Sequence, residues 1–260
     1  MSAGTFAPSP GAAPVSRMIL AQTALETRML LRNGEQLLLT VIIPSLLLVL
    51  FSAVDIITVP TEEGGAGKSV DFLAPGVLAL AVMSTAFTGQ AIATGFDRRY
   101  GVLKRLGASP LPRWALMAAK TLSVLVTEVL QVALLTVIAL ALGWTPHGDP
   151  LSVAALLLLG TAAFSGLGLL MAGTLKAEMT LAAANLVFLL LLVGGGVIVP
   201  LDKFPDAVRS ALELLPISAL SGGLREVLQH GAALPWGDAA VLAVWAVLGL
   251  GTAAKFFRWD

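Results

Sequence analysis

Residues 114–142, WALMAAKTLSVLVTEVLQVALLTVIALAL, decide the fold class. The run is 29 residues long and carries only two charges, Lys120 and Glu128. As an α-helix it measures roughly 44 Å at about 1.5 Å per residue, more than the ~30 Å of bilayer hydrocarbon, so it can cross with tilt or protrude. Five further apolar runs surround it, at 36–57 (with Pro44 inside), 72–96, 151–175, 179–199 and 236–257. Proline is tolerated in a membrane helix, usually with a kink. Only Lys176, Ala177 and Glu178 separate the fourth span from the fifth, which calls for a tight hairpin.

Composition agrees. The 260 residues are 57% hydrophobic and 12% charged, against about 45–50% and about 25% in soluble domains. Half the usual charge cannot cover six buried core helices with a wetted surface. The sequence therefore reads as an all-α membrane protein with six transmembrane helices. Net charge is zero, so nothing points to nucleic acid. There is no Cys, and His147 and His230 lie far apart, which argues against a metal centre. Residues 1–14 lack a basic charge and an apolar core; they read as a disordered tail rather than a signal peptide.

Basic residues set the expected orientation. Arg17, Arg28 and Arg32 precede the first span, and Arg98, Arg99, Lys104, Arg105 and Arg113 follow the second. Lys176, Lys255 and Arg258 fall on the same side, eleven in all, against Lys68, Lys203, Arg209 and Arg225 opposite. The positive-inside rule then puts both termini in the cytoplasm of a cell-membrane protein.

Three segments are not plain spans. Residues 15–32 carry Met18, Ile19, Leu25, Met29 and Leu30 at helical spacing between polar residues, an amphipathic helix for the inner interface. Asn33-Gly34 breaks it before the first span. Residues 97–107, DRRYGVLKRLG, form a short basic helix with Tyr100, Leu103 and Leu106 on one edge; Gly107 ends it and Pro110 and Pro112 bar its continuation. Topology alone needs no apolar edge, so a groove on another protein is implied. Residues 200–235 are too polar for a span. Pro205 can start one helix and Pro216 end it, and a second helix can run over 218–229; the pair either dips into the outer leaflet or lies on it as a cap.

Taken in order, these segments resemble the membrane subunit of type-2 ABC transporters, in the drug-resistance group that includes daunorubicin-type exporters. The resemblance runs from about Val15 to Phe257. It is carried by FDRRYGVLKRLGASPLPR at 96–113 and by Phe204-Pro205, Leu215-Pro216 and Leu224-Arg225 before the last span. The family usually has Glu where this chain has Asp97, with the charge kept. The resemblance implies a single permease domain over 15–260, pairing with a second permease copy or a paralogue, and a separate ABC ATPase bound in two copies from the cytoplasm. The 97–107 element would be the coupling helix, passing ATPase motion to spans one, two and five. Tyr100, Leu103 and Leu106 would supply packing on the partner. Asp97, Arg98, Arg99, Lys104 and Arg105 would supply orientation around Gly101. The chain has no G-x-x-x-x-G-K-[ST] element. ATP and Mg are therefore expected on the partner, with no cofactor here and no enzyme activity of its own.

Other residues complete the expectations. Glu128 sits mid-span, where a charge costs about 2.5–3.5 kcal/mol on insertion scales. It is either a substrate or proton site or a partner for a basic residue, or else a protonated or water-paired Glu between helices. Lys120, eight residues away, is about 12 Å along the axis and out of its reach, while Gln131 shares its face. Ala162, Gly166, Gly168 and Ala172 read as close helix packing, and Gly194–Gly196 as a hinge or a helix terminator. Phe87, Gln90, Asn185 and Phe188 lie in the spans that line the family's cavity and, with Glu128, are the candidate substrate pathway. Phe204, Pro205, Pro216 and Arg225 are the candidate outer gate. The expected activity is outward movement of a small amphipathic drug-like or lipid molecule. Lipid-linked or polysaccharide cargo is the alternative, and an ion-coupled secondary transporter a weaker one, since no inverted repeat and only one central charge are seen. An intramembrane hydrolase lacks a nucleophile–base pair within the spans.

Overall fold

A computed structural model of the chain describes residues 13–53, 59–60, 66–67, 69–197 and 205–257. The expected N-terminal tail falls outside these apart from Ala13 and Pro14. Among the described residues, eleven α-helices, the third and fourth joined by a π-helical segment, make the fold all-α. The extended pairing among the described residues is a two-residue antiparallel contact of Val59–Pro60 with Ala66–Gly67.

Helix α1 is Val15–Arg32 and closes on Asn33, whose N–H donates to Leu30 and Met29 carbonyls. Helix α2 is Gly34–Ala53. Helix α3 (Ser69–Val82), a π-helical stretch Met83–Gly89 and α4 (Gln90–Arg99) form one continuous rod. Next come α5 (Val102–Gly107), α6 (Arg113–Ala141), α7 (Pro150–Thr174) and α8 (Ala177–Gly194). The last three are α9 (Asp206–Leu212), α10 (Pro216–His230) and α11 (Trp236–Phe256).

Among the described residues, five helices are long and apolar enough to cross a membrane: Ser69–Arg99, Trp114–Ala141, Pro150–Thr174, Ala177–Gly194 and Trp236–Phe256. The sequence reading expected six. The remaining run, in α2, has a shorter apolar helix at Thr40–Leu50, and residues 54–57 of that candidate lie outside the described residues.

Local chemistry explains the ends. Asp149 caps α7, accepting from the Leu151 and Ser152 backbone N–H groups with Pro150 at the first helical position. Those hydrogen bonds hold its carboxyl below the usual range. Glycine ends α8, with Gly196 at φ 65°, so the triple glycine acts as a terminator. Two boundaries correct the sequence reading. The 97–107 element is not one helix: Gly101, at φ 72°, separates α4 from α5, so Asp97, Arg98 and Arg99 belong to the end of the rod. Pro216 does not end the first helix of the 200–235 pair. It starts the second, where its missing N–H costs nothing, and α9 stops at Leu212.

The core is built on α3, which is buried almost all round, with α7, α10 and α11 packed about it or about one another. Small residues set the closest approach. A Cβ on Gly166 would lie 2.6 Å from the Gly249 carbonyl carbon and 2.9 Å from its Cα, so α7 and α11 meet backbone to backbone. Gly166→Val is expected to cost about 1–3 kcal/mol through overpacking. Gly251→Val, where nothing lies within 4 Å, is the control and should stay within about 0.5 kcal/mol. Thermal unfolding of the two purified variants in detergent checks this, and equal midpoints would refute the packing claim.

Candidate functional site

Helix α6 is turned inside out relative to a soluble helix. Lys120, Ser123, Thr127, Glu128 and Gln131 are buried, at the i, i+3, i+7, i+8, i+11 spacing of one face. Val126, Val129, Leu130, Leu134 and Val137 are exposed on the other. An apolar exterior with a hydrogen-bonded polar interior is the arrangement a bilayer solvent favours. Gln131 accepts from the Thr85 hydroxyl (2.8 Å) and donates to the Thr40 carbonyl (2.5 Å), tying α6 to the π-helical stretch and to α2. Glu128 accepts from the Thr161 hydroxyl of α7 through Oε2, while Oε1 has no partner among the described residues.

Lys120 is the centre of a charge cluster that joins three elements. Its Nζ lies 2.8 Å from Asp97 Oδ2 at the end of α4 and 3.0 Å from Glu26 Oε1 of α1. The Lys120 side chain is 4% exposed, those of Glu26 and Asp97 14% and 21%. Gln22 donates to Glu26 at 2.9 Å, and Thr23 to the Ala119 carbonyl at 3.4 Å. Helix α1 thus turns its polar side, Gln22, Thr23 and Glu26, onto α6. Leu20, Leu25, Met29 and Leu31 face outward. Sequence reading missed the cluster. It compared Lys120 only with Glu128 on its own helix, and the true partners lie 94 and 23 residues away.

The rest of the expected partner-facing element divides in two. Leu103 was expected to pack on another protein. It is instead fully buried in this chain, in a small core with Leu111, Ala115, Leu116, Leu169 and Phe257, and Leu106 packs against the same core. The reason is the αL turn at Gly101, which folds α5 back onto the ends of α6, α7 and α11. Arg98 donates to the Ala172 and Leu175 carbonyls (both 3.1 Å), satisfying the C-terminus of α7. Arg99 pairs with Glu178 at the start of α8. Tyr100, 68% exposed, stacks on Phe96 with ring centroids 6.0 Å apart. Lys104 and Arg105 are exposed. The outward surface here is therefore Arg99, Tyr100, Lys104 and Arg105, and Asp97 and Leu103 work inward.

A cleft of about 810 Å³ opens between α1, α2, the rod and α8. Leu30, Ile43 and Pro44 form one wall and Leu80, Ile92 and Phe96 another. Of the five candidate pathway residues, Asn185 and Phe188 line it from α8. Phe87, Gln90 and Glu128 do not. Phe87 is buried beside Gly168 of α7, and a Cβ on that glycine would reach the Phe87 carbonyl at 2.8 Å. Gln90 is buried with neither amide atom partnered among the described residues. The π-helical turn shifts the register, so Ser84, Thr88 and Ile92 present to the cleft instead.

At the opposite end α10 is deeply buried. Arg225 donates to the Val197 carbonyl at 2.8 Å and sits 4.0 Å over the Phe72 ring. Gln229 donates to the Asp71 carbonyl at 2.6 Å, and Ser221 to the Gly195 carbonyl at 3.1 Å. Of the expected gate residues, Pro216 and Arg225 are on buried α10, Pro205 is exposed before α9, and Phe204 lies outside the described residues.

Three comparisons bear on identity. A family model described as ABC-2 type transporter matches residues 19–228. The linearmycin resistance permease protein LnrN of Bacillus subtilis (strain 168) is 28% identical over 200 residues, 76% of this chain and 52% of that protein. The putative transport permease YvfS of the same organism is 24% identical over 235 residues, 87% of this chain and 91% of that protein. The chain thus spans about half the length of the first relative and nearly all of the second.

Proposed function

The chain belongs to the ABC-2 type transporter family, and from that premise we propose that it is the membrane permease subunit of an ATP-driven exporter of small amphipathic molecules, drug-like or lipid. Membership and the five apolar helices make it a multi-pass membrane protein, a transport component rather than an enzyme. On this reading α2 is the sixth span and both termini are cytoplasmic. Helix α1 rests its apolar face in the inner interface, and α9 and α10 form the outer re-entrant pair. Two ATPase subunits drive a dimer of permeases, with ATP and Mg held by them.

The observation that carries the proposal is the seat of α5. Leu103 and Leu106 fasten it to the ends of α6, α7 and α11, while Tyr100, Lys104 and Arg105 remain exposed. A short helix fixed beneath and bare above can pass a push from a docked ATPase into the spans. The physical requirement is that it contacts the partner differently in the two nucleotide states. The first helices to feel the push are α6, α7 and α11, with α8 joined through Arg99 and Glu178. The cleft volume lies within the roughly 300–1,000 Å³ common for small-molecule sites.

The test is charge reversal. Lys104→Glu with Arg105→Glu should leave the permease inserted and folded. In the reconstituted complex it should lower substrate-stimulated ATP hydrolysis on the order of tenfold or more, because both charges sit where partner attraction is steered. Unchanged stimulated hydrolysis would overturn the docking assignment.

A further inference from the structure

We propose that the cleft binds an organic cation, with the positive charge at the Glu26–Asp97 rim and an apolar body between α2, the rod and α8. The inference rests on reading the cleft as the cargo path, and it narrows the cargo to a charge class.

Three observations carry it. Among the described residues, the charged ones lining the cleft are Glu26 and Asp97, with no Lys or Arg. Lys120 stands behind them, buried, with both carboxylates on one ammonium, so the rim facing the cleft keeps a net charge of minus one. That excess is held where field lines are not fully screened by water, so a cation is favoured and an anion repelled. Phe96 and Tyr100 are stacked at the same rim and offer ring faces to a cation, and Phe188 lies on the α8 wall. Thr88 lines the cleft wall apart from this cluster.

Tetraphenylphosphonium and tetraphenylborate have the same shape, opposite permanent charge and no titration, which makes them the probes. Equilibrium binding of each to the full-length permease in nanodiscs is measured against empty nanodiscs. Saturable binding of the cation is expected, with no saturable binding of the anion. Asp97→Asn is expected to weaken the cation on the order of tenfold, the scale of removing one partly screened charge at contact. Thr88→Lys should abolish cation binding without touching the cluster, which guards against an Asp97 variant that merely folds poorly. Equal binding of both probes, or cation binding indifferent to Thr88→Lys, overturns the proposal. Transport is read separately, as ATP-dependent tetraphenylphosphonium uptake by inside-out vesicles holding the permease with its ATPase. Charge-selective binding without uptake would keep the cation site and sink the cargo-path reading. Uptake without charge-selective cleft binding would do the reverse.

Discussion

Lys120→Met should be strongly destabilising, costing toward the lower end of about 3–5 kcal/mol. Methionine keeps the apolar stem and removes only the ammonium. Glu26 and Asp97, at 14% and 21% side-chain exposure, then face each other with no cation between them. Losing one member of a buried charge cluster is worse than never having built it, because the remaining carboxylates stay partly desolvated. Their residual contact with water moderates the loss. Helix α1 should be the first element to part, since Glu26 and Thr23 are its polar attachments to α6. The expected readout is a lower thermal midpoint in detergent together with faster proteolysis within 15–32. Adding Glu26→Gln and Asp97→Asn to Lys120→Met removes all the charge and should recover most of the stability. A single mutant as stable and as protected as the parent would show that the cluster does not hold α1.

Leu103→Asp is expected to abolish coupled transport while leaving membrane insertion intact. Leu103 is fully buried against Leu116, Leu169 and Phe257, so the change removes a packed side chain and buries a carboxylate among apolar atoms. The local cost is about 2–5 kcal/mol, enough to lift a six-residue helix off its seat. The spans themselves do not depend on this contact, so the amount of inserted protein should hold. Proteolysis within 100–112 should accelerate even without an ATPase, and stimulated ATP hydrolysis in the complex should vanish. Leu103→Met, which conserves volume, should do neither. Normal protection together with normal coupling in Leu103→Asp would remove α5 as the transmitting element.

Much of the candidate site was open to sequence reading, but its orientation was not. The basic character of 98–105 and the Pro-Gly boundaries marked that segment as special, and α5 does lie there. Yet a periodic Tyr100, Leu103 and Leu106 cannot say which side of the helix faces the chain's own core. The left-handed turn at Gly101 decides that, and it puts Leu103 inward and Lys104 and Arg105 outward. The substrate-path residues divide for a similar reason. A π-helical turn changes the face count along the rod, so Phe87 and Gln90 point into the bundle while Ser84 and Thr88 reach the cleft.

By itself the sequence determined that this protein lives in a bilayer and where its long apolar helices run. Apolar length against bilayer thickness is a one-dimensional comparison, and helix-terminating Asn, Gly and Pro act within a few residues of themselves. Residues 114–142 could therefore be read as a span without knowing any neighbour. What that span does inside the protein was decided only in three dimensions. Lys120 reads as one stray charge in an apolar run until α1 and α4 bring Glu26 and Asp97 within 3.0 Å and 2.8 Å of it. Charge pairing depends on distance in space, and no local pattern encodes a contact between residues 94 positions apart.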